Sequence, residues 1–266
     1  QAARGNDPLY TSDGQRMGAV VVLHDITERK RIERLQREFI STVSHELRTP
    51  LTSITGALAL ICSNVMGEVP ESMHELLEIA QQNSLRLSAL IDDLLDMDKL
   101  HAGKMRFDML EQALQPQLEL ALRSNGSYAE RHGVQLQLGA CPPVNVTVDA
   151  MRLQQVLSNL LSNAARFSTA GERVELSARV SDGRVRVSVR DQGPGISDEF
   201  RARVFQKFAQ ADSSDSRQQG GTGLGLAISK ELIEHMGGQI GFESGPGQGA
   251  CFWFELPIQG QAKESP

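Results

Sequence analysis

Ser44-His45-Glu46-Leu47-Arg48-Thr49-Pro50-Leu51 lies inside a longer repeating pattern, and its reading decides the first half of the fold. Val43, Leu47, Leu51, Ile54, Leu58 and Ile61 recur at steps of three and four, the mark of one buried helical face. At about 100° per residue, His45 stands roughly 200° from Val43, so its ring is expected to point away from that face. An imidazole with an ordinary pKa of about 6.5 is mostly neutral near pH 7, and its ring nitrogen is then a nucleophile suited to an electrophilic phosphorus. Glu46 can take the released proton only if the helix is locally bent. Pro50 supplies a cause for a bend, because its ring clashes with the carbonyl four residues back, that of Glu46. An exposed His-Glu pair on a solvated helix has the same local pattern, and the rest of the chain separates the two.

Upstream, Ile32, Leu35 and Phe39 keep helical spacing with charged residues from Glu28 to Arg34 between them, a coiled-coil entry into the His45 helix. Residues 1 to 15 are turn-rich, with Gly5-Asn6-Asp7-Pro8 and Ser12-Asp13-Gly14, and lead into an apolar strand from Met17 to Leu23. Downstream, Asn64 to Pro70 breaks the pattern. A second amphipathic helix is expected from about Glu71 to Leu100, with Met73, Leu77, Ala80, Ser84, Leu87, Ile91, Leu94 and Met97 or Asp98 on its inner side. Two antiparallel helices bury only half of what they expose, so a homodimer closing a four-helix bundle is the expected completion.

Composition narrows the classes. The 266 residues carry a net charge of -6, which gives no electrostatic footprint for nucleic acid. Cys62, Cys141 and Cys251 are few and scattered, as suits a reducing cytoplasm rather than a disulfide framework. Apolar runs such as Ala19 to Leu23 and Ala57 to Cys62 are far shorter than the ~20 residues of a membrane span. A cytoplasmic fragment is expected, with an upstream membrane span left open in a longer parent.

After His101-Ala102-Gly103-Lys104 the texture becomes mixed. A strand near Met105 to Met109 is expected, then a helix near Gln115 to His132 ended by Gly133, and short strands at Val134 to Leu138 and Val144 to Val148. Asp149 should cap a helix with the stripe Leu153, Val156, Leu157, Leu160, Leu161 and Ala164. The alternation Val174 to Val180 meets Val185 to Val189 across Ser181-Asp182-Gly183, a hairpin signal. A last helix from Leu224 to Met236 and strands Gln239 to Glu243 and Ala250 to Leu256 complete a mostly antiparallel sheet covered by helices, an α+β sandwich.

Three segments of this half carry chemistry. Asn159, Asn163 and Arg166 share a helix face beside the apolar stripe, and amide oxygens with a guanidinium suit phosphates and a hard cation. Asp191-Gln192-Gly193-Pro194-Gly195-Ile196 puts a carboxylate at a strand end before glycines that let backbone approach a ligand, where it can accept from an adenine amino group. Gly220-Gly221-Thr222-Gly223-Leu224-Gly225-Leu226 opens a helix, whose first N–H groups attract phosphate. The polar run Gln210 to Gln219 between the second and third segments is long enough for a lid.

Taken together and in order, these segments resemble a two-component sensor histidine kinase across residues 26 to 257. Ser44 to Leu51 is similar to the family's phosphoacceptor box, Asn159 to Ser168 to its asparagine box and Asp191 to Gly195 to its first glycine box. Phe205-Gln206-Lys207-Phe208 resembles its phenylalanine box, and Gly221 to Leu226 its second glycine box. The resemblance implies a HisKA-type helical hairpin followed by a sandwich of the Bergerat (GHKL) type that binds ATP and Mg2+. It implies domains at 27–101 and 104–258, with a flexible tail expected at 259–266. Separately, the strand from Met17 and its run through His24-Asp25-Ile26-Thr27-Glu28-Arg29-Lys30 resemble the end of a PAS sensor domain, which makes 1–26 a PAS-like tail.

His45 would then be phosphorylated with Glu46 as proton acceptor, Asn163 as magnesium ligand, Asn159 and Arg166 near the phosphates, and Asp191 reading adenine. Phe167, Gly193, Gly195, Ile196, Phe205, Lys207, Phe208, Gly221, Thr222, Gly223, Leu224, Gly225 and Leu226 complete the implied nucleotide site. A response regulator receiver domain is the implied acceptor and an upstream sensor domain the implied input, while Thr49 would orient water in a phosphatase reaction on the regulator. Arg166 stands where the family usually has lysine. Gln210 stands where it often has arginine, which leaves Lys207 for the γ-phosphate.

Overall fold

The computed structural model describes residues 3–10, 16–25, 27–63, 67, 69–210, 222–245 and 247–258. Packing divides the chain into two units, Gln1–Ile91 and Asp92–Pro266. In the first, β1 (Ala3–Tyr10) pairs antiparallel with β2 (Arg16–His24), from Ala3 opposite His24 to Leu9 opposite Gly18, with a register shift at Leu9/Tyr10. This corrects the turn-rich reading of the first residues. The apolar strand needs a hydrogen-bonding partner, and in a two-stranded ribbon Pro8 has an outer edge where its missing N–H costs little.

Helix α1 spans Thr27–Cys62 and runs through Pro50. Asp25 starts it by accepting from the Thr27 N–H at 2.8 Å. Around the proline, Thr52 Oγ1 donates to the Arg48 carbonyl and Ser53 Oγ to that of Thr49, side-chain bonds characteristic of a locally adjusted helix. Helix α2 spans Glu71–His101. The expected buried stripes are only partly covered within one chain. Leu51, Ser84 and Ile91 are buried, while Leu47, Ile54, Ile61, Met73 and Leu87 are exposed, since a single neighbouring helix shields only part of each circumference.

In the second unit α3 (Leu114–Arg131), α4 (Ala150–Phe167) and α6 (Gly225–His235) cover a five-stranded sheet, and the single turn α5 (Asp198–Arg201) follows its third strand. Strand order is β4 (Gln135–Leu138), β6 (Arg173–Ser181), β7 (Arg184–Arg190), β9 (Ala250–Pro257) and β8 (Gln239–Ser244), with β4–β6 parallel and the rest antiparallel. The β6–β7 turn uses Asp182 and Gly183 at positive φ (51° and 71°), the two-residue hairpin geometry whose twist matches the strands. Alternate residues Val174, Leu176, Val185, Val187, Val189, Phe254 and Leu256 meet the α4 stripe in one buried core.

One boundary moves from its expected place. The strand expected at Met105 to Met109 is instead β3 (Leu110–Ala113), paired with β5 (Asn145–Val148). Met105 and Phe107 act as anchors against the core, with Phe107 stacked on His235 at 5.3 Å, so their alternation reflects packing rather than a ladder. Met97 and Leu100, from the end of α2, are buried in the sandwich core, and the packing division falls at Ile91/Asp92. The segments 64–66, 68 and 259–266, which include most of the interhelical break and the expected tail, lie outside the described residues.

Asp149 ties the start of α4 to the segment that enters β3. It caps α4 by accepting from the Arg152 N–H at 3.1 Å, and its other oxygen accepts from the Asp108 N–H at 3.0 Å, fixing the chain that enters β3. Asp149→Ala removes both acceptors from a buried site and is expected to lower unfolding stability by about 2 kcal/mol, read from the midpoint of a urea titration.

Candidate active site

A cavity of about 800 Å³ opens in the second unit among α4, the end of β7, the segment around α5 and the start of α6. Helix α4 buries Leu153, Val156, Leu157, Leu160 and Leu161 against the sheet, so the residues one step round the helix line the cavity instead. These are Gln155, Asn159, Ser162, Asn163 and Arg166. Asn159 donates to Ser229 Oγ on α6 at 2.9 Å, Asn163 Nδ2 lies 3.4 Å from Asn159 Oδ1, and Arg166 Nη2 donates to Asn163 Oδ1 at 3.2 Å. The row is thus a hydrogen-bonded rail with its amide oxygens held in order. Arg166 also lies over the Phe167 ring at 4.4 Å, and that half-exposed ring forms one wall.

Asp191 follows β7 and is buried. Its Oδ1 accepts from the N–H groups of Gly193 (2.9 Å) and Ala250 (3.0 Å), which leaves Oδ2 for a donor in the cavity. Burial raises the Asp191 carboxyl above its ordinary range, and those two hydrogen bonds oppose the rise. Gly195 has φ +78° and a Cβ there would collide with the Gly245 carbonyl, so the loop can be followed only by glycine. At the start of α6 a Cβ on Gly225 would collide with Asn159 Oδ1, and this absence of side chain is what lets the helix N-terminus meet the amide rail. Thr222 and Gly223 complete that edge, with Gly223 at φ +70°.

Of the site residues expected from sequence, Asn159, Asn163, Arg166, Phe167, Asp191, Gly195, Ile196, Thr222, Gly223, Gly225 and Leu226 line this one cavity. Gly193 and Leu224 are buried and do not line it. Phe205, Lys207 and Phe208 do not line it. Phe205 packs on Phe242 and Phe252, Phe208 is exposed at φ +60°, and Lys207 Nζ sits 2.8 Å from His101 Nε2. Gly221 and the expected lid lie outside the described residues but for Gln210, which borders the cavity. His45, Glu46 and Thr49 lie on α1 of the other unit; Glu46 and Thr49 are exposed, and the direction of the His45 ring lies outside the described residues.

Sequence reading missed Gln155 and Ser162, though both continue the three- and four-residue steps of the amide rail. It also missed Asp93, Tyr128, Phe200 and Arg203, whose roles depend on tertiary packing.

Residues 35–103 match the family model described as His Kinase A (phospho-acceptor) domain, and residues 148–260 match that of the histidine kinase-, DNA gyrase B-, and HSP90-like ATPase. The chain is 34% identical over 256 residues to the alginate biosynthesis sensor protein KinB of Pseudomonas aeruginosa, covering 94% of this chain and 42% of KinB. It is 37% identical over 244 residues to the sensor protein GacS of Pseudomonas syringae pv. syringae, covering 88% of this chain and 26% of GacS. It is 37% identical over 232 residues to the signal transduction histidine-protein kinase BarA of Escherichia coli K12, covering 85% and 25%. The chain therefore spans less than half the length of these curated relatives.

Among solved structures, full-length ShkA in complex with AMPPNP aligns with a TM-score of 0.69 at 33% identity, covering 85% of this chain and 46% of that one. The Acinetobacter baumannii histidine kinase AdeS aligns with a TM-score of 0.58 at 26% identity, covering 81% and 98%.

The buried carboxyl gives a test of the site's electrostatics. A carboxyl whose folded pKa exceeds its unfolded one binds its proton more tightly in the folded chain. Its contribution to stability is therefore full below the unfolded pKa and is lost as pH rises through the folded pKa. Asp191→Asn keeps an oxygen for both N–H donors without that charge. Its urea midpoint at pH 7 is expected to equal or exceed the parent's, with the gap narrowing toward acid pH; a clearly lower midpoint at pH 7 contradicts this account.

Proposed function

As the chain belongs to the two-component sensor histidine kinases, we propose that it phosphorylates His45 from Mg-ATP and passes the phosphoryl group to an aspartate of a response regulator receiver domain. The observation that carries this reading is the convergence of the amide rail, the buried Asp191 and the glycine-flanked start of α6 on one cavity, in a chain whose phospho-acceptor match includes His45. Asp191 Oδ2 accepts from the adenine amino group, with Phe167 against the base. The triphosphate lies toward Thr222, Gly223 and the first N–H groups of α6, beside Asn159 and the Arg166 guanidinium.

The residues present fit a magnesium ion in one respect: the Asn163 amide offers a hard oxygen at the edge of the rail, with phosphates and water to complete a shell. Bound there, the ion would neutralise phosphate charge. His45 attacks the γ-phosphorus as the bond to the β-phosphate oxygen breaks and ADP leaves. Glu46, exposed on the same helix, accepts the ring proton. Asn159 cannot act as a base toward water, which favours transfer over hydrolysis.

The exposed Leu47, Ile54, Ile61, Met73 and Leu87 support a homodimer that closes the helix pair into a four-helix bundle. Thr49, exposed one turn beyond His45, supports a phosphatase reaction on the regulator. Among the described residues no helix is long and apolar enough to cross a membrane. An upstream sensor domain, membrane-linked in a longer parent, would supply the input.

Incubation with Mg-[γ-32P]ATP is expected to give acid-labile, base-stable label on the chain. His45→Gln should abolish it, and Asn163→Ala should lower its rate about 100-fold. Label that survives His45→Gln refutes the acceptor assignment, and steady phosphate release independent of His45 points to a plain ATPase.

A further inference from the structure

The end of α2 reaches the rim of the cavity, in the same packing unit, and makes contacts that the proposed reaction does not use. Asp93 lines the cavity, and its Oδ2 accepts from Thr222 Oγ1 at 2.8 Å. That hydroxyl in turn accepts from the Leu224 N–H at 3.1 Å, so Asp93 orients the turn from which α6 begins. One turn on, Asp96 fastens α2 to α4, accepting from Arg152 Nη1 at 3.1 Å and Gln155 Nε2 at 2.9 Å. At the last residue of the helix, His101 Nε2 accepts from Lys207 Nζ at 2.8 Å and lies 3.9 Å from Glu231 Oε1 on α6. This stretch of α2 therefore holds two groups expected beside a triphosphate, Thr222 through Asp93 and Lys207 through His101, and the Asp93 carboxylate itself stands at the rim.

We propose that Asp93 is a positioning residue that sets the cavity's affinity for phosphate-bearing ligands: it anchors Thr222 at the start of α6 while its own negative charge opposes a bound triphosphate. This rests on the nucleotide-site reading above and deepens it. Burial, and then the neighbouring Asp96 and Asp92 charges, already make ionisation of this carboxyl costly, and the Thr222 hydrogen bond offsets part of that cost. A triphosphate arriving nearby adds to the same repulsion.

The test is equilibrium binding of Mg-ATP and of adenosine to the whole chain and to Asp93→Asn, at low and high salt. The asparagine keeps an oxygen for Thr222, so the fold and the turn are retained while the charge is lost. Mg-ATP is expected to bind about tenfold more tightly to the variant at low salt, with a smaller gain at high salt, and adenosine to bind equally to both. Unchanged or weaker Mg-ATP binding overturns the inference. An equal change for adenosine overturns it as well, since a purely structural role would move both ligands. If the parent binds neither ligand, the nucleotide-site reading falls and this inference with it; a parent that binds both ligands while the variant matches it sinks the inference alone.

Discussion

The packing of α4 on the sheet fixes everything around it. Leu153, Val156, Leu157, Leu160 and Leu161 are fully or almost fully buried, and together they set the rotation of the helix about its axis. Once that rotation is set, Gln155, Asn159, Ser162, Asn163 and Arg166 have one direction left to face, and they form the polar wall of the cavity. The apolar stripe and the polar rail are two readings of one helical period. A change that loosened the stripe would misalign the rail by the same angle, so core and site cannot be varied independently.

The second constraint is steric. The rail meets α6 only because position 225 lacks a side chain, and the loop after β7 closes only because Gly195 takes φ +78° against the Gly245 carbonyl. A carboxylate buried at the end of β7 is tolerated because two backbone N–H groups converge on one of its oxygens. Asp191 also lines the cavity, where the proposed function gives its other oxygen an adenine amino group to accept from.

How much of this could be read from the chain alone depended on whether the signal was local. The stripes of α1, α2 and α4, the Asp149 cap and the Asp182-Gly183 hairpin are local patterns, and the structure has those elements within a few residues of their expected limits. Strand β1 was hidden because Gly5-Asn6-Asp7-Pro8 favours turns, and only pairing with β2 overrides that preference. Met105 and Phe107 alternate as a strand would, yet they serve as plugs against the core. Within the site, the rail and the glycines were legible because residue type and spacing carry their chemistry. Asp93 was not, since nothing in Asp92-Asp93-Leu94 shows that a threonine 129 positions later will close on it. The same holds for Lys207, whose partner His101 comes from the end of a different element.

Phosphorylation of His45 as proposed requires a nucleotide in the cavity between the amide rail and the start of α6. Amide hydrogen exchange of the whole chain, with and without a non-hydrolysable ATP analogue and magnesium, tests this most directly. A nucleotide bound there is expected to slow exchange at Gly193 to Ile196 and at Gly223 to Leu226, with the outer strands β4 and β8 unchanged. Unaltered exchange at both segments under saturating analogue, or protection confined to other parts of the chain, would contradict it.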